Sequence, residues 1–222
     1  MKSVHGIDYQ VELREILNLK IYCLKSLDQT IDQLCEVLGE RLMDDALKED
    51  YCPYFGVPWE AGMALAQHLK NNAHKFPKTL EAIEIGSGLA LPSFVLAQQG
   101  LSVLATDFHQ DVLTFLSENQ KVNDLYFPFE FINFRANSLD HHKKYDLVIG
   151  SDILYESSHP DSVVRKLISL CKPGGKIILS DPGRAYIQQF ISIMHLHGMN
   201  EEAYIHKVLN KEVWIFEFKL PI

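Results

Sequence analysis

The residues best suited to chemistry lie around two glycines, Gly86 and Gly88, which follow a short apolar run. An apolar run, a glycine turn and a second apolar segment with Pro92 near its start predict a buried strand, a tight loop and the first turn of a helix. Such a loop lets backbone N–H groups approach a ligand closely, and the helix start favours negative charge. Two acids accompany the loop: Glu84 precedes it, and Asp107 lies 19 positions after Gly88.

Two common nucleotide-binding patterns do not fit this loop. The dinucleotide pattern G-x-G-x-x-G requires a third glycine at position 91, where the sequence has Leu91. The P-loop pattern G-x-x-x-x-G-K-[ST] is absent. An acid at the end of the following strand, as predicted for Asp107, can accept hydrogen bonds from both hydroxyls of a ribose. The loop therefore predicts a nucleoside ligand that needs no pyrophosphate.

The elements that position these residues alternate along the chain. Between residues 80 and 197, five apolar strand patterns alternate with helical patterns, which predicts a doubly wound, mostly parallel α/β sheet. Two last strands, near 204–209 and 213–218, follow each other without a helix and predict an antiparallel hairpin at one edge. Ligands of such sheets bind beyond the carboxyl ends of the strands. The predicted strand ends carry the glycine loop, Asp107, Asn137, Asp152 and Asp181.

Length and composition fit one domain with an N-terminal extension. The chain has 222 residues, of which 47% are hydrophobic and 23% charged, so a full core is available. Its formal net charge of −8 disfavours sequence-independent nucleic-acid binding, which needs basic patches. We therefore expect no nucleic-acid partner.

The N-terminal region predicts a small extension. Residues 9–23 fit two short strands with a break near Glu15, as in a hairpin, although a helix is the competing prediction. A helical pattern begins after Ser26 and continues to Leu42. We predict a hairpin and helix extension over residues 1–50 and the main domain over residues 51–222.

Cysteine usage favours a reducing compartment. The four cysteines lie in apolar contexts without metal-ligand spacing, which is typical of reduced cysteines in a cytoplasmic protein. The N-terminus shows no signal-peptide pattern, and no apolar run has the length of a transmembrane helix, so no membrane association is expected.

Four stretches together resemble a known family. Glu84-Ile85-Gly86-Ser87-Gly88-Leu89-Ala90 with Asp107 resembles the S-adenosylmethionine-binding motif of class I, Rossmann-like seven-stranded methyltransferases. Ser151-Asp152-Ile153-Leu154-Tyr155 is similar to the Asp-x-x-Tyr motif of the seven-stranded protein-lysine methyltransferases, and residues 53–62 resemble their Trp-containing segment. Residues 180–184 are similar to the Asp-Pro-Gly-Arg of the branch that methylates the electron-transfer flavoprotein beta subunit. The resemblance covers roughly residues 50–220.

The resemblance implies S-adenosylmethionine as cofactor, S-adenosylhomocysteine as product, and no metal. The implied cofactor-binding residues are Trp59, Glu84, Gly86, Ser87, Gly88, Asp107, Phe108, Asn137 and Ser151. Asn137 stands where many members carry an acid that binds the adenine amino group. Asp152 and Tyr155 are the implied catalytic residues: Asp152 would hold an incoming ammonium group, and Tyr155 would wall the pocket or form a cation–π contact.

The implied reaction is methyl transfer to the amine of a protein lysine. A small amine or a pyridine-type nitrogen is the alternative acceptor, and an inactive cofactor-binding module is the alternative of another class. An adenine methylase of nucleic acid is disfavoured, because its fourth strand would end in Asn/Asp-Pro-Pro-aromatic rather than in Ser151-Asp152-Ile153-Leu154. Structural roles compete for some residues: Asp107 and Asp152 could be caps, Trp59 could belong to the core, and Asp181 and Arg184 are expected to form an ion pair at a turn.

Overall fold

The computed structural model describes residues 1–3, 6–38, 52–133, 143–157 and 159–222. The strands are β1 Val11–Ile16, β2 Leu19–Leu24, β3 Glu81–Ile85, β4 Ser102–Asp107, β5 Phe129–Phe131, β6 Tyr145–Ser151, β7 Cys171–Asp181, β8 Glu201–Val208 and β9 Lys211–Lys219. The α-helices are α1 Leu27–Leu38, α2 Glu60–Asn71, α3 Leu91–Gln98, α4 Val112–Asn123, α5 His159–Leu170 and α6 Ile187–Leu196, and a 3-10 helix covers Pro53–Gly56. No helix in these ranges is long and apolar enough to cross a membrane.

Seven strands form one sheet in the order β5-β4-β3-β6-β7-β9-β8. The pairs from β5 to β7 are parallel, whereas β9 runs antiparallel to both β7 and β8. The chain builds outward from β3 to β4 and β5 on one side, and then continues with β6 on the other side. This reversal places a crevice at the carboxyl ends of β3, β4 and β6. The predicted fold class, with its antiparallel C-terminal hairpin, is confirmed.

The sheet is buried on both faces by two apolar clusters. Ala82 faces the cluster that includes α2, α3 and α4, whereas Ile83 and Ile85 face the cluster that includes α5 and α6. Alternate residues of β3 therefore enter opposite cores, which explains why its sequence reads as an almost continuous apolar run. Glu84 is the exception to this run, and it is fully buried.

Local contacts explain where two of these elements begin. The last helix begins only at Ile187, because the backbone N–H groups of Gly183 and Arg184 donate to the Asp181 carboxylate and form a turn before it. Strand β7 begins at Cys171, because Cys171 already pairs with Tyr145 before an irregularity in the ladder.

The predicted N-terminal hairpin is confirmed, but the predicted break near Glu15 is wrong. Glu15 pairs with Lys20 within the ladder, and the turn consists of Leu17 and Asn18, whose φ angles are 55° and 70°. Two left-handed residues at a two-residue turn match the twist of a hairpin. The predicted helix after Ser26 is present as α1, and Leu42 lies outside the described residues.

Two asparagines of α4 attach the hairpin to the domain. Asn119 accepts a hydrogen bond from the Tyr22 N–H at 2.7 Å and donates to the Tyr22 carbonyl at 3.2 Å, and Asn123 binds Lys20 in the same way. Four helix residues rise about 6 Å, close to the advance of two strand residues. The two amides therefore act like a further strand along β2, and the hairpin shares a core with the main domain.

Candidate active site

A cavity of about 500 Å³ lies beyond the carboxyl ends of β3, β4 and β6. Four segments provide most of its wall: residues 52–59 before α2, residues 86–92 between β3 and α3, residues 107–109 after β4, and residues 151–155 after β6. The crevice that the topology predicts is thus a real cavity, and it brings together residues that are far apart in the sequence.

The glycine loop between β3 and α3 is held in a left-handed backbone. Gly86 has φ 62°, Gly88 has φ 49° and Ala90 has φ 55°. Glycine adopts this region freely, whereas alanine does so at a cost of about 1–2 kcal/mol. The Ser87 N–H donates to the Thr106 carbonyl at 2.9 Å, which ties the loop to the end of β4.

Gly88 allows a close approach of the preceding segment. A Cβ atom at this position would lie 3.1 Å from the carbonyl oxygen of Phe55. The 3-10 helix that contains Phe55 therefore packs directly on the loop backbone. Any side chain at position 88 has to move either the loop or this segment.

Asp107 holds the loop from the neighbouring strand. Its Oδ2 accepts from the Gly88 N–H at 2.9 Å and its Oδ1 from the His109 N–H at 3.0 Å, and only 6% of the residue is exposed. Burial raises the pKa of Asp107, and these hydrogen bonds partly oppose the rise. Each carboxylate oxygen has a further lone pair, so Asp107 can still accept hydrogen bonds from a ligand in the cavity. We refer to residues 86–90 with Asp107 as the glycine cradle.

Glu84 lies behind the glycine cradle rather than on the cavity wall. Its Oε2 accepts from the Ser93 N–H at 3.0 Å and from the Ser93 hydroxyl, which secures the first turn of α3. Its Oε1 is buried and has no hydrogen-bond partner among the described residues. Burial raises the pKa of Glu84 to about 8. A contact between Glu84 and the cofactor stays a prediction.

Three of the other predicted cofactor residues line the cavity. Ser87 has a buried hydroxyl without a hydrogen-bond partner in the described part of the chain. Phe108 follows Asp107 on the wall, and Ser151 ends β6 opposite Gly62, where an added Cβ would lie 3.5 Å from the Ser151 hydroxyl. Asn137 lies outside the described residues.

Asp152 is held in an unusual conformation after β6. Its φ angle of 55° is left-handed, and its N–H donates to the Ser180 carbonyl at 2.9 Å. Its carboxylate accepts two hydrogen bonds from Arg184, with Nε–Oδ1 at 2.5 Å and Nη2–Oδ2 at 2.9 Å. The expected ion pair between Asp181 and Arg184 is therefore wrong, since the guanidinium binds Asp152 and only the Arg184 backbone binds Asp181.

Tyr155 completes this side of the cavity. Its ring centroid lies 6.0 Å from the Arg184 guanidinium carbon, and the same ring makes an edge contact with His159 at 4.7 Å. We refer to Asp152, Tyr155 and Arg184 as the mouth. It combines a carboxylate, an aromatic ring and a fixed cation within one wall of the cavity.

Trp59 lines the cavity at the start of α2. It is half-buried, and its Nε1–H donates to the Tyr54 carbonyl at 2.9 Å. This bond fixes the ring against the 3-10 segment.

Comparisons with known proteins agree with this architecture. A family model described as a methyltransferase domain matches residues 83–177. Protein N-lysine methyltransferase METTL21A of Xenopus tropicalis is 29% identical over 170 residues, covering 74% of this chain and 77% of the relative. The human electron transfer flavoprotein beta subunit lysine methyltransferase is 26% identical over 153 residues, covering 67% of this chain and 56% of the relative. The chain thus spans little more than half of that second relative.

Solved structures show the same fold. The magnesium protoporphyrin IX methyltransferase of Synechocystis, with bound S-adenosylmethionine, superposes with a TM-score of 0.60 at 18% identity, over 80% of this chain and 94% of that one. The ribosomal protein L11 methylase of Lactobacillus delbrueckii gives a TM-score of 0.59 at 18% identity, over 73% and 79% of the two chains. The domain model and the methyltransferase relatives identify the chain as an S-adenosylmethionine-dependent methyltransferase, and its fold is similar to that of the class I enzymes.

The cavity of this methyltransferase fits its cofactor. The buried Ser87 hydroxyl and the glycines of the cradle offer polar contacts without bulk, and Asp107 supplies acceptor oxygens for ribose hydroxyls. Phe108 provides an apolar surface suited to a base. Bound S-adenosylmethionine supplies an electrophilic methyl group on a sulfonium.

Gly62, His109 and the side chain of Arg184 are among the wall residues of the methyltransferase that the sequence did not predict for the site. The similarity of residues 180–184 to a family motif was the available signal for Arg184. His109 lies two residues after Asp107, the acidic strand end, and its ring lies 4.3 Å from that of Phe55. For Gly62, only its place in the Trp-containing segment offered a signal.

Proposed function

We propose that this methyltransferase transfers a methyl group to the ε-amine of a lysine in a protein substrate. The carrying observation is the mouth, where the Asp152 carboxylate and the Tyr155 ring line the same cavity as the glycine cradle and both contact Arg184. A carboxylate and an aromatic face are the two groups that attract an alkylammonium ion. A long, thin lysine side chain is the common protein group that carries such an ion.

The protein's task in this reaction is to orient the reactants and exclude water. The amine nitrogen forms a bond to the methyl carbon while the carbon–sulfur bond breaks, its electron pair stays on sulfur, and one N–H proton leaves to water. Asp107 and the loop backbone fix the donor side, and Asp152 accepts an N–H of the incoming amine and so aims its lone pair. The Tyr155 ring limits the directions from which the amine can approach.

The names of the relatives support a lysine acceptor. The two relatives described above are both named lysine methyltransferases, and a third, the protein N-terminal and lysine N-methyltransferase EFM7 of Candida glabrata, is 26% identical over 166 residues. Their names share the acceptor residue and differ in the target. We therefore propose the class of acceptor and leave the target protein open.

Composition supports the partner and the location that we propose. A net charge of −8 supports a protein partner rather than a nucleic acid. The described cysteines, Cys23, Cys35, Cys52 and Cys171, are free thiols, which supports a cytoplasmic location. We also propose that residues 51–222 carry the methyltransferase domain and that residues 1–50 extend it.

The test is a labelling experiment. Lysate from a strain that lacks the gene is incubated with purified protein and S-adenosylmethionine that carries a tritiated methyl group. We expect label in a protein band, and methyl-lysine in its acid hydrolysate, with wild-type protein but not with Asp152→Ala. Label that appears only in the small-molecule fraction would overturn the proposal in favour of a small amine or pyridine-type acceptor.

A matched control separates the mouth from a general charge effect. Asp161 forms an exposed ion pair with Arg165 on α5, with Nη2–Oδ2 at 2.5 Å, and neither residue lines the cavity. Asp161→Ala removes an arginine-paired carboxylate as Asp152→Ala does. We expect it to label protein at the wild-type rate.

A further inference from the structure

The Arg184 guanidinium occupies the position in which the ammonium ion of an acceptor lysine would contact the mouth. This guanidinium binds both oxygens of Asp152 and lies over the ring of Tyr155. These are the two partners that the proposed function assigns to the acceptor. The Asp152 side chain is only 10% exposed, so most of its surface is already covered in this arrangement.

The pair is built into the fold rather than formed by two mobile surface side chains. The N–H groups of Gly183 and Arg184 donate to the buried Asp181 carboxylate at 2.7 and 2.6 Å, which fixes the backbone from which the guanidinium extends. The Asp152 N–H is held by the Ser180 carbonyl of the same strand end. Both partners are therefore attached to β7, and their bidentate geometry is preorganised.

The charge of this pair bears on the chemistry. Only a neutral amine has the lone pair that attacks a methyl group, whereas lysine is an ammonium ion at pH 7. A lone carboxylate beside a lysine favours the charged form and raises its pKa, and a neighbouring cation lowers it. A mouth with an unpaired Asp152 would bind the acceptor well but hold it in the unreactive form.

We propose that Arg184 keeps the acceptor lysine in its reactive, neutral form by cancelling the charge of Asp152. This inference rests on the proposed lysine acceptor. Each carboxylate oxygen retains a lone pair after binding Arg184, so Asp152 still accepts an N–H of the amine. Arginine suits this role because its guanidinium stays protonated at every pH at which the protein works.

The other titratable groups around the mouth do not supply this positive charge. The buried Asp181 carboxylate accepts from the Arg184 backbone N–H, and the Asp107 carboxylate accepts from the Gly88 N–H within the glycine cradle. The other titratable side chains on the cavity wall are those of Cys52, Tyr54, His109 and Tyr155, and the buried His159 contacts the Tyr155 ring. Among these groups, only Arg184 carries a charge that does not depend on pH.

The test replaces Arg184 by a neutral residue of similar shape. The probe is Nα-acetyl-lysine methylamide, ¹³C-labelled at its ε-carbon and titrated by NMR in the complex of the enzyme with S-adenosylhomocysteine. Arg184→Gln should raise the pKa of the bound probe by about one unit relative to wild type. In turnover with S-adenosylmethionine, the same variant should lower KM, lower kcat about tenfold at pH 7.5, and move the rising limb of the kcat profile to higher pH.

Two controls accompany this variant. Arg184→Lys retains the charge and should recover most of the wild-type pH profile, whereas a loss of structure alone would not be rescued in this way. Arg165→Gln removes one arginine from the exposed pair on α5 and should leave both the probe pKa and the kcat profile unchanged.

The other outcomes test the role of Arg184 and the lysine acceptor separately. If both enzymes bind the probe with the same pKa, or if Arg184→Gln raises kcat, the inference about Arg184 is wrong while the lysine acceptor stands. If neither enzyme binds the probe, the proposed lysine acceptor itself is contradicted.

Discussion

The glycine cradle and the mouth line the same cavity but are held together by different kinds of contact. In the cradle, polar contacts run through the main chain: the N–H groups of Gly88 and His109 bind Asp107, and that of Ser87 binds a carbonyl of β4. In the mouth, the central contact joins two charged side chains, Asp152 and Arg184, and the Arg184 side chain is 39% exposed.

The difference indicates which half can change with the substrate. A backbone cradle is fixed by the fold and suits a cofactor that is always the same. A side-chain mouth can be altered by a few substitutions without disturbing the sheet, which suits an acceptor that differs between relatives. Substitutions in the cradle should therefore alter cofactor affinity or stability, and substitutions in the mouth should alter turnover.

The largest expected effect is on cofactor affinity. Asp107→Ala removes the acceptor of two loop N–H groups and of the ribose hydroxyls, so we expect calorimetry to show affinity for S-adenosylmethionine about a thousand-fold weaker, or about 4 kcal/mol. Asp152→Ala should leave this affinity within about twofold of wild type. Similar losses in both variants would show that cradle and mouth are not separate units.

Glu84 should make stability depend on pH. Its folded-state pKa of about 8 lies above the ordinary 4.5, so the unfolded chain ionises first and stability falls between these values as pH rises. The slope is about 1.4 kcal/mol per pH unit. In urea unfolding, the free energy of unfolding of Glu84→Gln relative to wild type should therefore increase by about 2–3 kcal/mol between pH 6 and pH 8.

Glu81 provides the control at the other end of the same strand. Lys143 binds the Glu81 carboxylate and lowers its pKa. The stability of Glu81→Gln should therefore change with pH in the same way as that of the wild type from pH 6 to pH 8. Parallel curves for Glu84→Gln as well would contradict the effect of burial on Glu84.

Alanine substitutions at Gly88 and Gly100 can be compared to separate the cost of backbone strain from damage to the glycine cradle. Both have positive φ, 49° and 76°, but only an added Cβ at position 88 meets a backbone atom, the Phe55 oxygen. Each alanine variant should lose about 1–2 kcal/mol of stability in chemical denaturation. Only Gly88→Ala should also weaken S-adenosylmethionine binding, by about tenfold, and equal binding in the two variants would refute the close-packing role of Gly88.

The smallest effect is expected at Trp59. Trp59→Phe loses the bond to the Tyr54 carbonyl and should weaken binding in the cavity about fivefold, since one neutral hydrogen bond contributes about 1 kcal/mol. Trp214, the other of the two tryptophans, does not line the cavity. In Trp214→Phe, Trp59 is the sole tryptophan, and its fluorescence should change when cofactor binds; no change would place Trp59 outside the binding surface.

The sequence by itself determined the parts that depend on short-range pattern. Alternating strand and helix periods defined the sheet, and the two glycines with Asp107 defined the cradle, because left-handed turns and strand ends leave local signatures. The N-terminal hairpin was also predictable. Its turn was misplaced, because residues 13–17 fit two periods and only the pairing across the ladder decides between them.

Only the tertiary structure decided the contacts between distant segments. Arg184 lies 32 residues from Asp152, and its pairing with Asp152 rather than the nearby Asp181 depends on the left-handed turn at Asp152 and on the direction in which the backbone turn bound to Asp181 Oδ1 sends the guanidinium. Likewise, Asn119 and Asn123 form hydrogen bonds with β2, which lies about a hundred residues earlier in the sequence. Such pairings depend on side-chain direction after packing, which no local pattern encodes, and they determine the charge that an acceptor meets at the mouth.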